Sequence, residues 1–204
     1  MTHSETRSAR PTTRRALASA AAATAMVLLA GCGGGSGEAG GTDSGELHGT
    51  PQSFTPPPEA TPTLPDQFAA VDQFQPDSVM VAALETLFSY QPTVDLGQGE
   101  AAQRAAPLMD ERFYRENAAS MTALAPITGK RWQSWRGAGA TVQARASITT
   151  DQHPPDLPAS YSRVVAITVA AIAPDGAQID TASWAAYATV TKLGVWRLSA
   201  VTVR

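Results

Sequence analysis

A single cysteine, Cys32, stands in 204 residues, so the chain forms no internal disulfide and no multi-cysteine zinc site. Charge is sparse as well. Asp, Glu, Lys and Arg make up 16% of the residues, less than in an ordinary soluble domain, because Ala, Gly, Pro, Ser and Thr are so frequent. There is no excess of positive charge, with a formal net charge of −3, and nothing provides the basic footprint that nucleic-acid binding needs. No Gly-x-Ser-x-Gly elbow occurs, and the run Gly33–Gly37 lacks both the Lys-Ser/Thr ending and the flanking strand of a phosphate-binding loop. The apolar stretch Ala16–Ala30, about 15 residues, is shorter than the ~20 a helix needs to cross a bilayer.

What is present begins with that stretch. Arg7, Arg10, Arg14 and Arg15 precede it as a positive n-region, and Leu29-Ala30-Gly31-Cys32 closes it. These four residues resemble the lipobox of bacterial lipoproteins. The resemblance implies that residues 1–31 are a signal peptide and that the Cys32 thiol carries diacylglycerol. It also implies cleavage between Gly31 and Cys32, with fatty acid such as palmitate anchoring the mature chain to membrane lipid outside the cytoplasm. Two or three acyl chains hold a protein far more firmly than one. The competing reading is a plain secretory signal in which Cys32 is incidental. Thr13-Arg14-Arg15-Ala16-Leu17 resembles a twin-arginine export signal but lacks the usual aromatic, so the general secretory route is expected.

Residues 32–76 read as a Gly/Pro-rich tether. Gly33 to Pro76 holds six acids and no Lys or Arg, opens on glycines, and passes through Pro56-Pro57-Pro58 to Pro62 and Pro65. So little apolar surface does not offset the entropy of ordering, which predicts disorder. A flexible coil of this length spans roughly 35–40 Å, enough to lift a domain off a membrane. A Pro-rich docking peptide is a weaker reading, since the prolines lack flanking basic residues. Phe68, Val71 and Phe74, three residues apart, predict a short helix within Asp66–Gln75 that docks on the C-terminal domain.

Residues 77–204 read as one domain with eleven acids against eleven bases. Asp77 or Ser78 caps a helix running to Tyr90, with Met80, Leu84, Leu87 and Phe88 on one face. A second helix spans about Gln98–Leu108. A third starts at an Asp110 N-cap, runs to about Ala119 and carries a Glu111–Arg115 pair. After Gly129 the period turns to two. Strands are expected over Thr141–Thr149, Tyr161–Ala173, Ala182–Lys192 and Val195–Val203, with turns at Pro174-Asp175-Gly176 and Gly194 and a loop over Asp151–Pro158. Helices followed by short-linked strands imply an α+β fold: N-terminal helices on a curved antiparallel sheet of about four strands. Its second and third strands differ little between faces, so a partner or second copy is expected to cover the side away from the helices.

This order is similar to the cone-shaped nuclear-transport-factor-2-like superfamily. Lys192-Leu193-Gly194-Val195-Trp196-Arg197-Leu198-Ser199-Ala200-Val201 resembles the final hairpin of its bacterial envelope members. Such members include extracytoplasmic domains of conjugation and type IV secretion assembly proteins, and mammalian-cell-entry-associated proteins. Enzymes of the superfamily place a carboxylate and tyrosines inside the cone, and Asp95, Glu100, Tyr90, Tyr114, Tyr161 and Tyr187 are the candidates here. The expected strands offer no inward Asp or Glu, however, so no catalytic residue is assigned.

His153 between Asp151 and Asp156 suggests a metal site. A lone histidine among prolines lacks the second regularly spaced ligand, so a solvated loop is expected, and neither metal nor cofactor is assigned. Trp132 and Trp135, among Lys130, Arg131 and Arg136, offer a partner-binding patch, with packing into the core as the alternative. Together these point to a lipid-anchored cell-envelope lipoprotein whose non-enzymatic domain binds or scaffolds an envelope protein or itself, in the setting of conjugation or secretion. A carrier of an apolar small molecule in the cone is the second reading, and an isomerase- or cyclase-like enzyme the third.

Overall fold

The computed structural model describes residues 61–204. The leader, the lipobox Leu29–Cys32 and most of the tether expected from the sequence lie outside the described residues. Among the described residues four α-helices come first: α1 (Pro76–Leu87), α2 (Gly99–Ala105), α3 (Glu111–Asn117) and α4 (Gly129–Gly137). Four strands come after them, β1 (Thr141–Ile148), β2 (Ser160–Ile172), β3 (Gln178–Leu193) and β4 (Val195–Val203), in one antiparallel sheet of order β1-β2-β3-β4. The molecule is thus α+β, with helices packed on a four-stranded antiparallel open sheet.

α1 holds the layers together because it lies across all four strands. Pro76 starts it at the first helical position, where a missing N–H costs nothing, and Asp77 suits the positive end of the helix. Val79, Met80, Ala83, Leu84 and Leu87 form the buried stripe. The helix ends at Leu87, earlier than the sequence pattern suggests, because Tyr90 leaves it to pair with the sheet. Packing also starts earlier than Asp77. Phe68 is buried in the core, Val71 packs against it, and Trp196 N–H donates to the Gln73 carbonyl at 2.9 Å. Only a three-residue turn, Asp66–Phe68, is helical there, and Phe74 faces solvent.

The expected Asp110 cap is in place: its Oδ1 accepts the Phe113 N–H at 2.8 Å. α4 departs from expectation. Glycines at both ends and a polar composition hide it in the sequence. The legible signals are Thr128, whose Oγ1 accepts the Arg131 N–H at 3.2 Å, and the i,i+3 spacing of Trp132 and Trp135, both buried.

In the sheet, Val142, Ala144, Ala146 and Ile148 of β1 stand on the helix-facing side, with Val165, Ile167, Val169 and Ala171 of β2 beside them. Trp184, Ala186, Ala188 and Val190 continue this face on β3. On β4, Thr189 pairs with Ala200 but Val190 with Leu198, which leaves Ser199 as an extra residue. That bulge moves the inward phase from Trp196 and Leu198 to Val201 and Val203. The opposite face is rich in Ala, Ser and Thr.

Both sheet edges are met by the helical half. At β1, Tyr90 and Val142 exchange N–H···O bonds of 2.9 Å each way. The next two outward N–H groups go to side chains: Ala144 donates to Ser89 Oγ at 3.0 Å and Ala146 to Glu85 Oε1 at 3.2 Å. At β4, Asp110 N–H donates to the Leu198 carbonyl at 2.8 Å. Replacing Ser89 by Ala removes the partner of a part-buried amide, which costs about 1–2 kcal/mol. Ser89→Ala should lower stability in urea by that amount and speed Ala144 amide exchange, whereas unchanged Ala144 protection would show that Ser89 does not hold the edge.

Candidate functional site

A cleft of about 400 Å³ runs along the β1 edge, bordered by Glu85, Ser89, Tyr90, Arg104, Gln143 and Arg145. Arg104 on its border is paired with a buried carboxylate. Asp95 is only 3% exposed, and Arg104 of α2 meets both its oxygens at 2.7 and 2.9 Å. The same guanidinium donates to the Ser89 carbonyl at 3.0 Å, and the Gln91 N–H donates to Asp95 Oδ2 at 2.7 Å. Arg136 of α4 closes the loop from the other side, donating to the carbonyls of Pro92 at 2.6 Å and Asp95 at 2.8 Å.

Burial alone would raise the Asp95 carboxyl, but the Arg104 and Gln91 hydrogen bonds outweigh it and hold the group below the usual carboxylate range. Burial pushes the Tyr90 phenol the other way, well above its ordinary value. At neutral pH the cleft is therefore bordered by a neutral phenol and by a guanidinium already engaged with the buried Asp95 carboxylate and the Ser89 carbonyl. It offers hydrogen bonds rather than a proton acceptor poised near neutrality.

Of the six candidates for acid–base work, Tyr90 and Asp95 are neighbours, and the other four lie elsewhere. Glu100 is engaged with the N–H groups of Leu96 and Gly97 at 3.2 and 3.1 Å. Tyr161 lies under Arg163, whose guanidinium carbon is 3.6 Å from the ring centre. Burial and the neighbouring Asp77 carboxylate push its phenol up to about 12. Tyr187 is exposed on the face away from the helices, beside Arg204, and Tyr114 packs at the margin of the core. In the Asp151–Pro158 loop, Asp156 forms a two-pronged pair with Arg163 at 2.6 and 2.8 Å, and His153 Nδ1 lies 3.0 Å from the same guanidinium. Among the described residues no group of three or more His, Cys, Asp or Glu is placed to hold a metal ion.

The structure brings Arg131, Trp132, Trp135 and Arg136 together on α4 but turns both indoles inward, Trp132 being 7% exposed and Trp135 1%. The rings take the core-packing role that was the alternative to a surface patch. Arg131 grips Asp180 at 2.8 and 3.1 Å, and Trp135 Nε1 donates to the same carboxylate at 2.9 Å. Two other indole N–H groups, of Trp132 and Trp184, are buried without an oxygen partner. Each ring stands edge to face with an aromatic neighbour, Tyr90 or Phe88, at 5.4 Å.

Asp180 corrects the expectation that the strands carry no inward acid. β3 begins at Gln178 instead of Ala182, which puts Asp180 in phase with Ala182, Trp184 and Ala186. That shared alternation was the available signal. Gln98 was also missed: it is buried, and its Oε1 accepts the Ala125 N–H at 3.2 Å.

The chain matches no protein-family model, no curated protein and no solved structure.

Because the Asp95 pKa is depressed in the folded protein, its stabilisation is complete above the unfolded value of ~3.9 and is lost as pH falls through the folded value. Asp95→Asn should cost about 2–3 kcal/mol at pH 7, below the range for fully buried pairs because a third of the Arg104 side chain meets solvent. Chemical unfolding of parent and variant from pH 7 downward should show the gap closing in acid. A gap independent of pH would contradict the ion-pair account.

Proposed function

We propose that this protein is an exported lipoprotein, anchored to the cell membrane through acylated Cys32, whose α+β domain binds or scaffolds an envelope partner without catalysis. The observation that carries the second half is how the helix-facing side of the sheet is occupied. Phe88, Leu84, Trp184, Ile167 and Leu198 fill it as one packed cluster. A domain built this way uses its concave side for its own stability, which favours a scaffold over a carrier with an apolar cavity. The arginine-bound carboxylates support the same reading. Asp95 and Asp180 are each bound by an arginine and held below the usual range, whereas a general base working near neutrality needs the opposite shift.

The order of elements, the bulge at Ser199 and the Lys192–Val201 hairpin support a nuclear-transport-factor-2-like cone. Within that likeness, an accessory place in a conjugation or secretion apparatus is the setting we favour. Residues 32–60 act in this reading as the spacer between lipid and domain.

The anchor is tested by replacing Cys32 with Ser in the full-length chain. The parent should fractionate with membranes, incorporate labelled palmitate and give an intact mass that begins at a modified Cys32. Cys32→Ser should lose the label and leave the membrane. A parent chain with a free thiol, or cleaved elsewhere, would refute the reading. Native mass spectrometry of the parent should show no apolar small molecule retained; a stoichiometric one would favour the carrier instead.

A further inference from the structure

Three segments remote in sequence meet at one end of the sheet. The β3–β4 hairpin turns there at Gly194, whose φ of +76° suits glycine. The Asp151–Pro158 loop returns there into β2, and Lys192 N–H donates to the Ala159 carbonyl at 3.0 Å. The segment before α1 passes beside Trp196, held through Gln73. Each segment exposes one large apolar side chain at this end: Leu193 is 83% exposed, Leu157 60% and Phe74 53%. The chain also enters the fold here, since Gln73 Nε2 donates to the Pro62 carbonyl at 2.9 Å.

Charge does not explain the end. Arg163 is closed on Asp156, Arg197 donates to Gln73 Oε1, and Asp72 and Asp77 balance the remaining cations. Lys192 stands with its ammonium 5.9 Å from the Trp196 ring. A long amine beside an exposed leucine keeps its charge in water while its stem lies along an apolar phase. Val94 and Leu96 are exposed as well, but they come after Tyr90, which bridges Val142 at the opposite end of the sheet, where β2 turns into β3.

We propose that this end is a lipid-contacting tip: Leu157, Leu193 and Phe74 enter the surface of the membrane that holds Cys32, and the β3–β4 hairpin faces the bilayer while the β2–β3 hairpin points away. The proposal rests on the lipid anchor. Three apolar side chains bind a bilayer weakly by themselves, but a tether arriving at the same end keeps the local lipid concentration high enough for weak insertion to be populated.

The test uses the full-length acylated protein in vesicles of equimolar phosphatidylcholine and phosphatidylglycerol. With Cys32 acylated, an introduced cysteine is the sole free thiol. Ala159→Cys, Thr93→Cys and Asp175→Cys, each labelled with an environment-sensitive fluorophore, place probes beside the tip, beside Val94 and at the far hairpin without removing the three apolar side chains. Nitroxide lipids should quench the Ala159 probe severalfold more than the other two. Phe74→Ser, Leu157→Ser and Leu193→Ser combined should erase the difference while the protein still floats with the vesicles. Equal quenching at all three sites in floating protein, or stronger quenching at Thr93, would overturn the tip and leave the anchor standing. Protein that does not float would remove the anchor and the tip together.

Discussion

An open meander of four strands has two edges, and closing them is the constraint that the rest of this structure obeys. An exposed edge is a row of unpaired N–H and C=O groups that invites another chain. Here the helical half supplies the closure. Glu85 of α1 and Ser89 just after it bond β1, Tyr90 pairs with Val142, and Gln73 and Asp110 reach β4. The helix that buries the apolar side of the sheet therefore also sets what its borders can bind. α1 could not slide along the sheet without unpairing the amides of Ala144 and Ala146, so edge closure fixes its register as well as covering the border.

Once the helices are placed, the long connections between them need anchoring, and arginines provide it. Arg104 and Arg136 hold the loop after Tyr90 from α2 and α4, and Arg131 holds the start of β3 through Asp180. A planar cation with several donors can satisfy a carboxylate and a carbonyl at once, which suits short helices that must fix irregular chain. The consequence for chemistry is direct. A carboxylate recruited to hold a loop has its pKa pushed down, away from the range in which it would accept a proton at neutrality. Structural use and catalytic use of these acids compete, and the observed partners favour the structural one.

This competition explains what could be read from the sequence. Class, strand count, turns and the Asp110 cap follow from local signals such as alternation, glycine and a capping aspartate. α4 did not, because two glycines and a charged surface outweigh two tryptophans in any short window. The Trp132/Trp135 patch failed as a surface for the same reason: without the helix their common face is invisible, and with it both rings turn to the core. Asp180 was hidden by setting the start of β3 four residues late, which moved an inward acid into a turn. The leader and its cysteine give the densest local pattern in the sequence, and they lie outside the described residues. The partners of Arg104, Arg131 and Arg136 were unreadable in principle, since pairs separated by up to 50 residues depend on the finished packing.

The molecule is thus asymmetric along its strands. At one end the segment from Pro62 to Gln73 enters the fold among three exposed apolar side chains. At the other, arginine-bound loops surround the β1 edge and the β2–β3 hairpin. A tethered domain free to tumble would gain nothing from keeping Leu193 exposed at a hairpin tip, because an apolar side chain in water adds risk of association without stability. The exposure becomes favourable only if something apolar is regularly within reach. On the proposed lipid anchor, that apolar phase is the membrane. Orientation on that surface would leave the Ala-, Ser- and Thr-rich face of the sheet standing roughly upright and accessible from the side, which is the geometry an envelope partner would meet.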